Sequence, residues 1–444
     1  MAAANAQVSF GHIQNRIARD QRGINVFDVQ KDTVQFQGVS VDLGAAFSLQ
    51  FQAIKSFNDQ VPSQLPTAVA AYHLNDLENN FNLPTANMTI GAQLADGVRV
   101  NLDLYLAARH HNETWVKGGY LQIDKLDFIK KHFLEDFMQY TTIKIGQMEN
   151  NYGDAHFRRS DNGNALMNPF VGNNIMDAFI TEMGAEVYYN RSGWVSMLGV
   201  TNSKLNQNVQ PIVPGTPTAA KPDQNSTISP SIIAKFGYDK QLDQDLRVRL
   251  TGSFYHTANS SGNLYSSDRA GSRFYGVMTH AGTIGAPAAN VFDPTANKDT
   301  GRFNPGFGNW ATSYMINPFI KYKGFEFFGT LEFASGGDSK GVDTTRKVDQ
   351  YAGDLVYRFG NHENLYVGAK YNLVSGKLQN ADADKIGVNR LEVAGGWFMT
   401  KNILAKVSYI NQNYKDYAQF VGTQPNDFYG GNFNGVTMEA VISF

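Results

Sequence analysis

The chain has 444 residues and a formal net charge of −2, and neither that balance nor any basic run suits a nucleic-acid partner. No stretch approaches eighteen uninterrupted apolar residues, which excludes a membrane-spanning helix. Abundant Gly (42), Phe (30) and Tyr (21), with only 18 % charged residues, give the profile of an all-β chain. The absence of cysteine suits a chain that crosses an oxidising compartment without mispairing. No break in composition divides the length into domains.

The first ten residues read MAAANAQVSF. Ala4-Asn5-Ala6 before Gln7 resembles the small-residue end of a secretory signal. Residues 1–38 are therefore expected to be a signal remnant followed by a periplasmic N-terminal arm, with residues 39–444 forming one domain. The stretch His12–Gln21, HIQNRIARDQ, is polar and reads as that arm or as disordered chain. Gln7–Gln37 is too short for a large plug domain and long enough for a small hatch.

Strict period-two alternation begins in Val39–Ala53. Val39, Val41, Leu43, Ala45, Phe47, Leu49, Phe51 and Ala53 form one face; Asp42, Gln50 and Gln52 lie on the other. A second run ends at Ala95-Asp96-Gly97, and Val98, Val100, Leu102, Leu104 and Leu106 return from it, a strong hairpin signal. Weaker strands fall near Trp115–Ile123 and Tyr140–Met148. Between them Asp124–Gln139 reads as a small amphipathic helix, with Leu126, Ile129, Phe133 and Phe137 on one face. Further pairs are Thr181–Asn190 with Gly193–Thr201, Ser231–Tyr238 with Leu246–Thr257, and Ser313–Tyr322 with Phe325–Ala334. Gln350–Phe359 with Leu365–Val374 and Asn389–Met399 with Ile403–Tyr414 follow, and Asn432–Phe444 stands last. The total is about sixteen, the even count of a single-chain transmembrane β-barrel.

Two further patterns favour a barrel in lipid over a soluble sandwich. Alternate connections are short, whereas those at 56–85, 149–179, 202–230, 258–312, 335–349, 375–388 and 415–431 are long and polar. Short periplasmic turns and long extracellular loops are the layout of an outer-membrane barrel. Outward aromatics also fall in two bands. Tyr189, Tyr238, Tyr322, Phe325, Tyr357, Phe359 and Trp397 sit beside the short turns; Phe51, Phe254, Tyr314, Phe333, Tyr351, Tyr371 and Tyr409 lie toward the long loops. The apolar face of Val39–Ala53 is thus expected to touch outer-membrane lipid, and its polar face a wet lumen.

The last strand, FNGVTMEAVISF, places a terminal aromatic, Phe444, on a lipid-facing register. It resembles the assembly signal of bacterial outer-membrane proteins, which implies reading by the barrel-assembly machinery. The segment TIKIGQMENNYGDAHFRRSDNGNALMNP, followed by MGAEVYYNRSGWVSMLGVTNS, resembles the phosphate-selective porin family in its broad sense. That resemblance covers about a third of the chain. It implies a sixteen-stranded, usually homotrimeric barrel whose third loop folds inward. The arginine ladder that lines the pore of that family's phosphate binders has no clear counterpart here.

Carried through the register, inward cations include Arg99, Arg109, Lys144, Lys235, Arg247, Arg249, Lys321, Arg358, Lys370, Arg390 and Lys406; inward acids include Asp42, Asp103, Glu182, Glu186, Glu326, Glu332, Asp354, Glu392 and Glu439. Neither sign dominates. Lys235, Arg247, Arg249 and Lys321 cluster on three successive strands, with Glu182 and Glu186 on another, so a field across the pore is one reading and mutual pairing the other. The loop 149–179 falls where the family's constriction belongs. Asp154, His156, Arg158, Arg159 and Asp161 are its candidate constriction residues, and Asp154 or Asp161 has natural counterparts in Arg247 and Arg249.

No catalytic motif is present, and His110-His111 lacks companions at metal-ligand spacing, so neither an enzyme nor a cofactor is expected. The expected function is passive diffusion of small hydrophilic solutes or ions. The alternatives are a channel for hydrophobic substrates with a small N-terminal hatch, or a barrel component of a larger outer-membrane machine.

Overall fold

A computed structural model describes residues 9–444 except 12, 29–30, 62–64, 66–71, 83, 108–112, 161–163, 208–228, 260–263, 266–271, 281–299, 309, 340–341 and 378–384. The signal-like Ala4–Ala6, His12, Arg109, the His110-His111 pair and Asp161 lie outside the described residues.

Sixteen antiparallel strands close into a barrel. They are β1 Ser40–Phe57, β2 Thr85–Ala95, β3 Val98–Ala107, β4 Glu113–Ile123, β5 Thr141–Glu149, β6 Thr181–Arg191, β7 Trp194–Thr201 and β8 Ser231–Gln241. The second half is β9 Leu246–Thr257, β10 Ala311–Tyr322, β11 Phe325–Ser339, β12 Val342–Phe359, β13 Leu365–Lys377, β14 Ile386–Thr400, β15 Ile403–Lys415 and β16 Asn432–Ser443. Closure joins β1 to β16 from Ala46 opposite Ser443 to Phe57 opposite Asn432. Beyond the ladder, Ala45 and Phe444 exchange backbone hydrogen bonds of 3.0 and 2.9 Å. Among the described residues the sixteen-stranded sheet closes on itself and leaves no open edge, as a backbone in hydrocarbon requires.

The packing is inside-out. Leu198 is 68 % exposed and Phe236 59 % on the outer face, whereas Gln122, Glu182 and Asn372 are fully buried on the inner one. In β1 the two faces divide as their alternation requires: Leu43 and Leu49 are exposed, and Ser48, Gln50 and Gln52 are buried. The rings beside the turns (Tyr322, Phe325, Tyr357, Phe359, Trp397) and toward the loops (Tyr314, Tyr351, Tyr371, Tyr409) all face outward and exposed. The turns are tight where the sequence supplies the conformation. Ser192 and Gly193 both carry positive φ, the requirement of a two-residue hairpin that follows strand twist.

Two expectations are corrected. Asp124–Gln139 is not a helix: only Glu135–Met138 makes an α-helical turn, and Ile129 and Phe137 are exposed. His132 and Leu134 adopt left-handed backbone there, which breaks the helical path that the apolar spacing suggested. The stretch 335–349, read as a loop, is mostly strand, because β11 and β12 run on to Ser339 and from Val342.

Three segments fill the lumen. The N-terminal stretch 13–28, read as an arm, lies across the short-turn mouth. Gln14 bonds Gln93 and Gly97 at one turn, the Gln21 amide donates to Lys401 O (2.8 Å), and the Gln21 side chain donates to His362 O (3.0 Å). The described residues of 150–180 (150–160 and 164–180), between β5 and β6, cross to the opposite wall. The described parts of the connection between β9 and β10 also turn inward, burying Leu264, Tyr265, Phe274, Phe303 and Phe307 in one apolar cluster with Tyr152 and Ile175.

Candidate functional site: the barrel interior

Residues 150–180 are tied to strand after strand of the far wall by that wall's inward polar groups. Asp154 is fully buried; it accepts from Lys235 Nζ (3.1 Å), Arg249 Nε (2.8 Å) and Thr251 Oγ1 (2.6 Å), and its amide donates to Asn317 Oδ1 (2.7 Å). Burial alone would raise the Asp154 carboxyl, but Lys235 and Arg249 outweigh it and hold it well below the usual carboxylate range. Arg158 donates to Asn25 Oδ1 (2.5 Å) and stands 3.5 Å from Glu326, which also receives Arg358 Nε at 2.6 Å. Arg159 grips Asp177 with two bonds of 3.0 and 2.7 Å. Farther round, Val171 and Gly172 amides donate to Glu392 Oε1, the Ile175 amide to Asn372, and Lys406 Nζ to three loop carbonyls.

The loop therefore lies flat on β8–β15. Arg158 and Arg159 are buried in ion pairs, while His156 and Phe157 border open space. The His156 ring bonds Asn151 Oδ1 through Nε2 (2.8 Å); burial, then Lys235, holds its pKa well below the ordinary histidine value.

The four clustered cations are all paired. Lys235 meets Asp154, and Arg249 meets Asp154, Asp239 and, at 2.7 Å, Asp28 of the N-terminal segment. Arg247 meets Asp239 and Asn25 O, and Lys321 meets Glu363 of a short turn. Glu182 binds Asn150, and Glu186 accepts from the Asn151 amide and the Tyr188 hydroxyl. Phe444 sits outside this interior, its side chain exposed at the closing seam. On the far wall, the charges hold inserted segments in place.

Sequence periodicity did not reveal two of those segments. Phe27 is wedged between Phe319 (5.1 Å) and Phe328 (6.1 Å), with the Arg249 guanidinium 4.9 Å from its ring. Arg273, from the connection 258–310, spans to Glu439, Ser48 and Thr85, and Gln50 and Gln52 of β1 bind the backbone beside it. Nothing local marks these residues, since each partner is more than a hundred positions away.

Among the described residues a cavity of about 360 Å³ lies on the other side, against β2–β6. Its wall carries Arg99, Asp103, Lys117, Lys144 and Glu186, and its inner side is the segment 16–28 with His156 and Phe157. Arg99, Gln122, Lys144 and Glu186 are successive cross-strand neighbours and form one tier. Lys144 Nζ lies 4.8 and 5.4 Å from the rings of Tyr188 and Tyr120.

The described residues thus form a closed sixteen-stranded antiparallel barrel with inserted segments in its lumen and a charge-lined cavity along one wall. Neither a protein-family model nor a curated protein matches its sequence. Among solved structures, OmpT, an outer membrane protein of Vibrio cholerae in its trimer form, is similar over 92% of this chain and 100% of that chain, at 9% identity and a TM-score of 0.50. The anion-selective porin from Comamonas acidovorans covers 91% of this chain and 100% of its own, at 12% identity and a TM-score of 0.49. The outer membrane channel DcaP of Acinetobacter baumannii covers 92% and 99%, at 11% identity and a TM-score of 0.48. At such identities the likeness is one of fold: the chain folds as outer-membrane barrels do.

Proposed function

We propose that this chain is a bacterial outer-membrane porin, a passive diffusion channel for small hydrophilic solutes or ions, and not an enzyme. The observation that carries this is the cavity against β2–β6, its wall bearing Arg99, Asp103, Lys117, Lys144 and Glu186, inside a barrel whose outer face is apolar. A barrel of this strand number encloses space that side chains of the wall alone do not fill. The segments 13–28 and 150–180 then act as the narrowing elements, with the short turns periplasmic and the long loops extracellular. Asp154, His156, Arg158 and Arg159 serve the constriction in two ways: His156 borders the path, and the others anchor the loop that narrows it. Phe444 is the residue read during barrel assembly, and a homotrimer is the working oligomer. The sequence resemblance to phosphate-selective porins supports this reading, although the arginine ladder of that family's phosphate binders has no clear counterpart here.

Planar-bilayer recording on the purified, folded barrel tests the proposal. Discrete conductance steps that scale with salt support it. Correctly folded protein that inserts and never conducts removes it.

A further inference from the structure

The passage is bounded on its inner side by the N-terminal segment, and that segment brings unneutralised charge with it. Arg16 and Arg19 both donate through Nη1 to the same oxygen of Asp42, Arg19 at 3.0 Å. Two guanidinium groups thus share one carboxylate. The seat beneath them is built from glycine: a Cβ on Gly44 would lie 1.8 Å from Arg19 Nη1, and one on Gly91 3.1 Å from Arg16 Nη1. On the facing wall the almost fully buried Arg99 donates through Nη2 to Asn15 O (3.0 Å) and Gln122 Oε1 (2.5 Å), neither of them charged. Asp103, one tier away, is engaged by Thr89 (2.6 Å) and Asn101 (2.7 Å).

Among the described residues, three buried donors on these groups have no hydrogen-bond partner: Arg16 Nη2, Arg19 Nη2 and Arg99 Nε. An unmet buried donor on a charged group is costly, and an oxyanion in the cavity, toward which the guanidinium turns from the wall, relieves that cost. The same cavity is bordered by Ile17, Val26, Phe27 and Met167, which offer apolar surface beside the charge. Inorganic anions have no use for such a surface; a carboxylate with a short hydrocarbon body does.

We propose that Arg16 and Arg99 form a carboxylate-binding subsite in the passage, selecting small aliphatic monocarboxylates, with Asp42 setting its strength. The site is made jointly by the inserted N-terminal segment and the β3 wall. It deepens the channel reading and rests on it for the route by which solutes arrive.

Two measurements on the folded, detergent-solubilised full chain and on the same protein in bilayers test it. Calorimetric titration with butyrate should show binding that Arg16→Gln and Arg99→Gln each weaken by at least about threefold and that Asp42→Asn strengthens. Inorganic phosphate at matched ionic strength should bind more weakly than butyrate. In bilayers, butyrate should slow the salt current of the parent protein and lose that effect in the two arginine variants. Retained heat-modifiable mobility shows that each variant has folded. Butyrate binding that neither arginine variant changes overturns the subsite, as does phosphate binding at or above the level of butyrate. Butyrate binding with the expected variant pattern in a barrel that never conducts upholds the subsite and removes the channel reading instead.

Discussion

Asp154→Asn probes the anchoring of the loop 150–180 at its most charged contact. The carboxylate is buried and receives bonds from Lys235, Arg249 and Thr251. Removing one partner of a buried ion pair costs about 3–5 kcal/mol. Here the lower end applies, because Arg249 keeps Asp28 at 2.7 Å and Asp239 at 3.0 Å, and Lys235 keeps Gly153 O at 2.7 Å. About 3 kcal/mol shifts the ratio of anchored to released loop by about two powers of ten. The chain has no cysteine, so Ser160→Cys supplies the only thiol, at a position that is fully buried. Its reaction with a small thiol reagent reads the released population directly when opening is fast. Asp154→Asn should accelerate that labelling about a hundredfold and raise open-channel current noise, while the barrel's thermal unfolding moves little, since the strand ladder is untouched. Equal labelling rates with and without Asp154 would show that its ion pairs do not hold the loop.

The His156 pKa is depressed in the anchored loop, so anchoring is fully present above about 6.5 and weakens as pH falls below it. Labelling of Ser160→Cys, divided at each pH by the rate of a free exposed thiol, should therefore rise as pH falls from about 7.5 to about 5. His156→Gln should flatten that rise; an unchanged pH profile in the variant would assign the effect to another group. Gly91→Leu should push Arg16 from its seat, because even a Cβ there lies 3.1 Å from Nη1, and conductance should rise as the segment 13–28 loosens. Unaltered conductance would mean that this segment does not limit flow. Deleting Phe444 removes the exchange of backbone bonds with Ala45 at the seam, and the yield of folded barrel should fall more than the conductance of the barrels that do form. A normal yield by heat-modifiable mobility would count against that.

The wall of the barrel was legible because lipid and water impose opposite demands on alternate residues. Leu43 and Leu49 against Ser48 and Gln50 state the register without help from any other strand. That signal fades where both faces are wet. Gly336 and Gly337 read as loop because glycine carries no side chain to alternate, although β11 continues through them with Phe307 packed against Gly336. At 124–139 the apolar spacing pointed to a helix, but the left-handed residues His132 and Leu134 are decided by turn geometry that periodicity does not encode. Inward charges such as Lys235, Arg249, Glu326 and Glu392 were legible from register alone. So was one partner, Asp154 opposite Arg249, but the others were not. Asp28 to Arg249, Arg158 to Glu326 and Arg273 to Glu439 are polar contacts between distant segments, with no local pattern to announce them. The side of the lumen that stays open depends on all of these at once.

The most direct test of the account is the reversal potential of single channels under a salt gradient, read for Lys144→Gln beside Lys370→Gln. Lys144 borders the open passage against β2–β6; Lys370 is buried on the filled side, 3.8 Å from Asp354. The account predicts a conducting barrel whose reversal potential shifts toward cation preference with Lys144→Gln and stays at the parent value with Lys370→Gln. A shift at Lys370 with none at Lys144, or a folded barrel that does not conduct, would contradict it.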